Sequence, residues 1–360
     1  MKIAVACGGT GGHAFPGLAV AEELAARGHE VTVWDSGRDI ESSVMRNWTG
    51  KGFSTLAKQL SAKNVFSIVR SIFRCRREMR RERPDVLIAM GSYSSLPPVL
   101  AAKAFGVPVV LHEANTVPGR AVDFLSRYAK VVATSFERTS RYLKNVKTVL
   151  TGLPVRADIS KGERFEFIPP DAFVVFVTGG SQGAHVVNCL ASEALVMVKA
   201  ELETRGAGAK GLYVIHQTGA KDEGPVMATY AQCGMPARVH SFEREMARAF
   251  ASADLVIARA GASTCFELAA CAKPALLIPL PSALRNHQHF NAEAFAAAGA
   301  ADEGIQDRLT ARQLARYILE RIDNPARLAA MASRMRALAV PNAASRVADL
   351  VETTAKGRTP

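Results

Sequence analysis

The chain is poor in several features that would point elsewhere. Its six cysteines (Cys7, Cys75, Cys189, Cys233, Cys265 and Cys271) form no C-x-x-C pair. That argues against a zinc ribbon or a disulfide-stapled scaffold and suits buried thiols in a reducing cytoplasm. No apolar run approaches the roughly 20 residues that span a bilayer. The first apolar run, Ile3–Cys7, stops at paired glycines and is too short for the core of a secretory signal. No D-x-D pair occurs anywhere, so a metal-bound diphosphate of that kind has no evident ligands, and neither metal nor cofactor is expected.

What is present is length, glycine and basic charge. A chain of 360 residues with 48% apolar content is long enough for two domains, each with its own core. Residues 1–156 carry 23 Lys/Arg against 12 Asp/Glu, an excess of +11, while the remainder carries 22 against 21. An imbalance confined to one half points to an anionic surface or ligand for that half.

Two glycine-rich loops stand at matching places. Gly8-Gly9-Thr10-Gly11-Gly12-His13 follows Ile3–Cys7, and Gly179-Gly180-Ser181-Gln182-Gly183-Ala184 follows Phe173–Val177. A buried strand, a glycine turn and a helix start together expose backbone N–H groups and the positive helix end to an anion. Neither loop reads G-x-G-x-x-G, which disfavours a dinucleotide dehydrogenase. The rest of the chain alternates in the same way. Strands are expected near 2–7, 31–34, 86–89, 109–111, 131–134 and 147–150, then near 173–178, 212–216, 238–241, 254–258 and 275–278. Helices are expected between them, the first over 17–27, and charged residues 157–172 read as a linker. Continuous Val/Ile/Leu strands suit parallel sheets covered on both faces. The expected fold is therefore α/β, with two Rossmann-like parallel-sheet domains facing across a cleft, 1–156 and 157–340, and an amphipathic stretch within 341–360 returning to the first.

Residues 65–83 form the most basic segment. Val65, Phe66, Val69, Ile72 and Phe73 fall on one helical face, and Arg70, Arg74, Arg77 and Arg81 line another. The apolar face either packs on the sheet or dips into lipid while the arginines meet anionic headgroups. Nucleic acid is the least favoured partner, because no aromatic platform accompanies the arginines.

Four further motifs carry chemistry. His13 closes the first loop, and an imidazole, the side chain that changes charge nearest neutral pH, suits proton transfer there or a backbone bond at the helix start. His112-Glu113-Ala114-Asn115 lies at a strand's carboxyl end, where Glu113 is either a helix cap or a catalytic carboxylate. In Arg259–Glu267, Ser263 and Thr264 offer hydroxyls to a phosphate, and Glu267 offers a carboxylate to a ribose diol or to its own helix dipole. The amide-rich Asn286–Asn291 turn, with Gln288, suits sugar hydroxyls.

Taken together, these motifs resemble the MurG family, the bacterial peptidoglycan N-acetylglucosaminyltransferases. The resemblance rests on GGTGGH, Met90-Gly91-Ser92-Tyr93, HEAN, Pro154-Val155-Arg156, GGSQGA, Arg259–Glu267 and His287-Gln288…Asn291-Ala292, in family order over nearly the whole chain. It departs at Leu153, where the family has Asn. The resemblance implies a GT-B fold and inverting transfer of N-acetylglucosamine from UDP-N-acetylglucosamine to lipid I, making lipid II. Thr10, Gly11 and Gly12 would face the donor diphosphate or acceptor pyrophosphate; Asn115, Arg156 and Gln288 the donor or its sugar. Ser181 and Thr264 would meet the UDP phosphates, Glu267 the ribose and Phe242 the uracil. His13 is implied in catalysis with Glu113 behind it, and 65–83 is implied as a patch for an anionic membrane at the cytoplasmic face of the bacterial plasma membrane. Transfer to another lipid acceptor, a UDP-sugar epimerase and a non-catalytic membrane adaptor are the alternatives; acceptor-dependent UDP release separates them.

Overall fold

The computed structural model describes residues 1–9, 11–37, 48–58, 64–206 and 211–357. The chain divides into two compact units, Met1–Arg156 with Val340–Pro360, and Ala157–Ala339.

The first unit holds the parallel strands β1 (Lys2–Ala6), β2 (Glu30–Asp35), β3 (Lys51–Ser54), β4 (Val86–Ala89), β5 (Val109–Glu113), β6 (Val131–Thr134) and β7 (Thr148–Leu150), most of them formed from apolar runs. Their order is β3-β2-β1-β4-β5-β6-β7. Every residue of β4, β5 and β6 is buried, as a sheet covered on both faces demands. One face packs Val20, Ala21 and Leu24 of the helix Gly11–Ala26 with Val347, Leu350 and Val351 of the helix Ala343–Ala355. The other packs Cys75 and Met79 with Val99, Ala101 and Ala102. Arg27 fastens the Ala343–Ala355 helix, bonding Asp349, Glu352 and the Ser345 hydroxyl.

The second unit holds β8 (Phe173–Thr178), β9 (Leu212–Gln217), β10 (Ala237–His240), β11 (Leu255–Ala258), β12 (Ala275–Leu277) and β13 (Ala301–Glu303). Their order, β10-β9-β8-β11-β12-β13, repeats the pattern of the first sheet, again with parallel pairing. Val175, Val177, Val214 and Ile257 form its core with Val187, Leu195 and Val198 of the helix His185–Thr204 and Leu314 and Ile318 of the helix Ala311–Ile322.

Several local expectations needed correction. The first helix begins at Gly11, not near 17, and runs through Pro16. The edge strands β3 and β13 were not expected. The thiols are not uniformly buried: Cys7, Cys75 and Cys265 are, but Cys189 is exposed. Burial pushes the Cys75 and Cys265 thiols up to about 12, so both stay protonated.

The helix Val65–Arg81 buries only Ser71, Cys75 and Met79. Its packed stripe is this narrow i, i+4, i+8 row, not the apolar face. Phe66 is 82% and Phe73 64% exposed, with Val65 and Val69 also exposed and Ile72 half-buried. The packed-face alternative therefore falls. Arg70, Arg74 and Arg77 are exposed as well; Arg74 donates to the Ser54 carbonyl at 2.6 Å.

Candidate active site

In both sheets the strand order reverses between two central neighbours, β1/β4 and β8/β11, and open α/β sheets take ligands outside the carboxyl ends of such strands. Both glycine loops lie there.

In the first unit, the carbonyl of Gly8 accepts from the Ser92 hydroxyl at 2.6 Å and also from Ser94, which ties the loop after β1 to the turn after β4. Gly11 and Gly12 open the following helix, leaving their N–H groups at its positive end. Thr10 lies outside the described residues. His13 Nδ1 donates to the Met90 carbonyl at 2.8 Å. A carbonyl only accepts, so Nδ1 carries the proton, and Nε2 of the neutral ring carries the lone pair. Arg156 lies over the Phe15 ring at 4.9 Å, which brings its guanidinium to this same helix start.

Two buried titratable groups, His112 and Glu113, close the strand β5. His112 Nε2 donates to the Gly152 carbonyl, and burial lowers its pKa to about 4, so the ring is neutral. Glu113 is the second. Burial pushes its carboxyl up to about 7, against N–H donors that favour the charged form. Oε1 accepts from Asn115 N at 2.8 Å and Asn115 Nδ2 at 3.2 Å; Oε2 accepts from Gly119 N at 2.9 Å. Both oxygens hold the 114–119 turn and orient Asn115.

In the second unit the loop after β8 is held by close backbone approach. Gly183 has φ +74°, and a Cβ there would lie 1.9 Å from the Thr218 carbonyl oxygen. Ser181 is half-buried on this loop, and the helix His185–Thr204 follows. Asn188 donates to the Thr218 carbonyl and Asp222, both at 2.7 Å, and accepts from His216. His216 takes its other bond from Tyr230 at 2.9 Å; burial lowers its pKa to about 3 and keeps it neutral.

The other expected site positions of the second unit lie at neighbouring strand ends. Ser263 and Thr264 are half-buried in the first turn of the helix Ala262–Cys271, with Glu267 one turn further on. Arg259 is buried and donates to the carbonyls of Ile278 and Pro279 and to Gln306; its charge braces the chain. Gln288 Oε1 accepts from Leu280 N at 2.9 Å, and Asn291 donates to the Ala260 carbonyl at 3.1 Å. These amides join the 280 loop and the 259–264 turn to the helix His287–Ala297. Phe242 is exposed beyond the end of β10. Sequence reasoning passed over Gln217, Asn188 and His216. The signal was a polar His-Gln pair closing an otherwise apolar strand. Among the described residues no cluster of three or more His, Cys, Asp or Glu side chains is gathered as a metal site would need.

Comparison with known proteins agrees with this layout. Residues 3–134 match the glycosyltransferase family 28 N-terminal domain, and 174–351 its C-terminal domain. The UDP-N-acetylglucosamine–N-acetylmuramyl-(pentapeptide) pyrophosphoryl-undecaprenol N-acetylglucosamine transferase of Myxococcus xanthus is 36% identical, over 97% of this chain and 92% of its own. The protein of that name from Geobacter sulfurreducens is 36% identical, over 99% and 100%. The crystal structure of Acinetobacter baumannii MurG superposes with a TM-score of 0.76 at 31% identity, over 98% of this chain and 99% of that one. Two sheets of one strand order, a phosphate-type loop on each, and likeness along the whole chain have a common explanation: the chain belongs to glycosyltransferase family 28, in its MurG branch.

Proposed function

We propose that this chain transfers N-acetylglucosamine from UDP-N-acetylglucosamine to the 4-hydroxyl of the N-acetylmuramyl unit of lipid I, with inversion and without a metal, making lipid II for peptidoglycan. The observation that carries the reading is the near-complete alignment with transferases of that name, joined to a loop of anion-binding form on each sheet. Ser181, Ser263, Thr264, Glu267, Phe242 and Gln288 of the second unit hold the donor. Gly11, Gly12, Asn115 and Arg156 of the first serve the reacting sugars and phosphates.

The reaction follows from charge. His13 Nε2, left as the lone-pair nitrogen by the Nδ1–Met90 bond, takes the proton of the acceptor hydroxyl as that oxygen attacks the anomeric carbon. The bond from that carbon to the β-phosphate oxygen breaks, and UDP leaves with the electron pair. Backbone N–H groups at the starts of the His185–Thr204 and Ala262–Cys271 helices stabilise the growing phosphate charge without reorganising. Glu113 positions Asn115.

The exposed Val65, Phe66, Val69 and Phe73 and the half-buried Ile72, with Arg70, Arg74 and Arg77, suit docking on an anionic membrane. No helix among the described residues is long and apolar enough to cross one. The chain then acts as a peripheral protein at the cytoplasmic face of the plasma membrane, where a lipid acceptor lies. The test is UDP release from UDP-N-acetylglucosamine with and without a soluble lipid I analogue. Acceptor-dependent release is expected; acceptor-independent release would favour an epimerase or hydrolase.

A further inference from the structure

Gln217 is the last residue of β9, and the register sets it between Thr178, the last residue of β8, and His240, the last of β10. Those two strands feed different turns. β8 runs into the glycine loop, β10 into the turn bearing Phe242 and Glu243. The Gln217 side chain is 1% exposed and spends both ends of its amide across this gap. Nε2 donates to the Gly180 carbonyl at 2.7 Å, and Oε1 accepts from Glu243 N at 3.1 Å. Gly180 O also accepts from Gly183 N at 3.0 Å, so the bond enters the loop at its own closing contact. Glu243 is itself held, its carboxylate paired with Arg238 at 2.8 Å. The planar amide is thus a strut of fixed length between two anchored turns.

We propose that Gln217 is a positioning residue that sets the spacing between the diphosphate end and the base end of the nucleotide site, so that a nucleoside diphosphate engages both at once. The inference rests on the functional reading of the second unit and assigns a role to a residue that touches no substrate. A strut between two subsites has a distinctive signature: a ligand spanning both gains from their alignment, and a fragment filling one does not.

The test uses the full chain with Gln217→Met, which keeps length and loses both bonds, and Gln217→Asn, which keeps an amide too short to reach both turns. The expected result is a rise of about tenfold in the KM for UDP-N-acetylglucosamine and in the inhibition constant of UDP. The inhibition constant of uridine and kcat at saturating donor would each shift less than about twofold. Unchanged constants for UDP, or uridine weakened as much as UDP, would overturn the proposal, since the second pattern marks general loosening of the fold. Should Gln217→Met fail to fold, Gln217→Asn carries the same comparison. A wild-type chain that does not bind UDP at all would remove the functional reading instead, and this inference with it.

Discussion

The loops after β1 and β8 occupy the same place in two sheets of the same strand order, yet different chemistry holds them. The first is tied by serine hydroxyls and ends in an imidazole, and its sheet buries His112 and Glu113 at the end of β5. The second is tied by an amide strut and by glycine packing, with Asn188 bonded to the Thr218 carbonyl beside it. The first unit also carries nearly all the excess positive charge and the exposed aromatic helix. In the proposed function, one scaffold used twice is divided into a half that moves a proton and meets a surface, and a half that grips a nucleotide. Topology sets where a ligand lies, and side chains set what happens to it.

His13→Ala would test that division most severely. We expect kcat to fall about a thousandfold, in the range of a lost general base, while UDP binds within about twofold of wild type; calorimetry of UDP binding beside steady-state rates checks both. Weakened UDP binding in this variant would break the division. Gly183→Ala is the mirror test. A methyl group forced against the Thr218 carbonyl, at positive φ, should cost about 3 kcal/mol, read as a loss of UDP affinity or of second-unit stability, with the first unit intact.

Acidification should separate the units next. Free histidine takes up its proton near pH 6.5, while His216 resists until about 3; its stabilising contribution is present above pH 6.5 and is lost as pH falls below that. His112 slopes the same way, down to about 4. Glu113 slopes oppositely: its folded value near 7 lies above the unfolded 4.5, so its contribution is complete below 4.5 and lost as pH rises through 7. From pH 7 to 5 the second unit should lose about 2 kcal/mol, while His112 and Glu113 nearly cancel in the first. Trp34 and Trp48, the only tryptophans, both belong to the first unit. Urea unfolding followed by tryptophan fluorescence and by circular dichroism therefore reads the two slopes apart. The smallest effect is at the surface: Phe66→Ser with Phe73→Ser should weaken binding to anionic vesicles about tenfold, with the rate on a soluble acceptor unchanged.

The central strands were legible because runs such as Phe173–Val177 and Val86–Ala89 have one reading in a doubly covered sheet. The edge strands β7 and β10 were expected too, but the edge strands β3 and β13 were not. Lys-Gly-Phe-Ser and Ala-Asp-Glu carry no apolar run, and pair only because a neighbour offers a free edge. The first helix was placed too late because glycines and Pro16 obscure a start that tertiary packing enforces. Periodicity marked the apolar face of the Val65–Arg81 helix but not its packed face, since Ser71, Cys75 and Met79 form a stripe too mixed to stand out. At the site, glycine loops announced themselves. The roles of Glu113 and Gln217 did not, because a carboxylate or amide at a strand end has the same spelling whether it meets a ligand or a backbone N–H.

The Ala343–Ala355 helix, fastened by Arg27, has a consequence for the order of assembly. It covers a face of the first sheet but is translated only after all of the second unit. Until it leaves the ribosome, Ile3, Val5, Ile88 and Val110 lack part of their cover. The half made first is thus the half completed last, and during synthesis its unfinished sheet offers an apolar surface to chaperones or to neighbouring nascent chains.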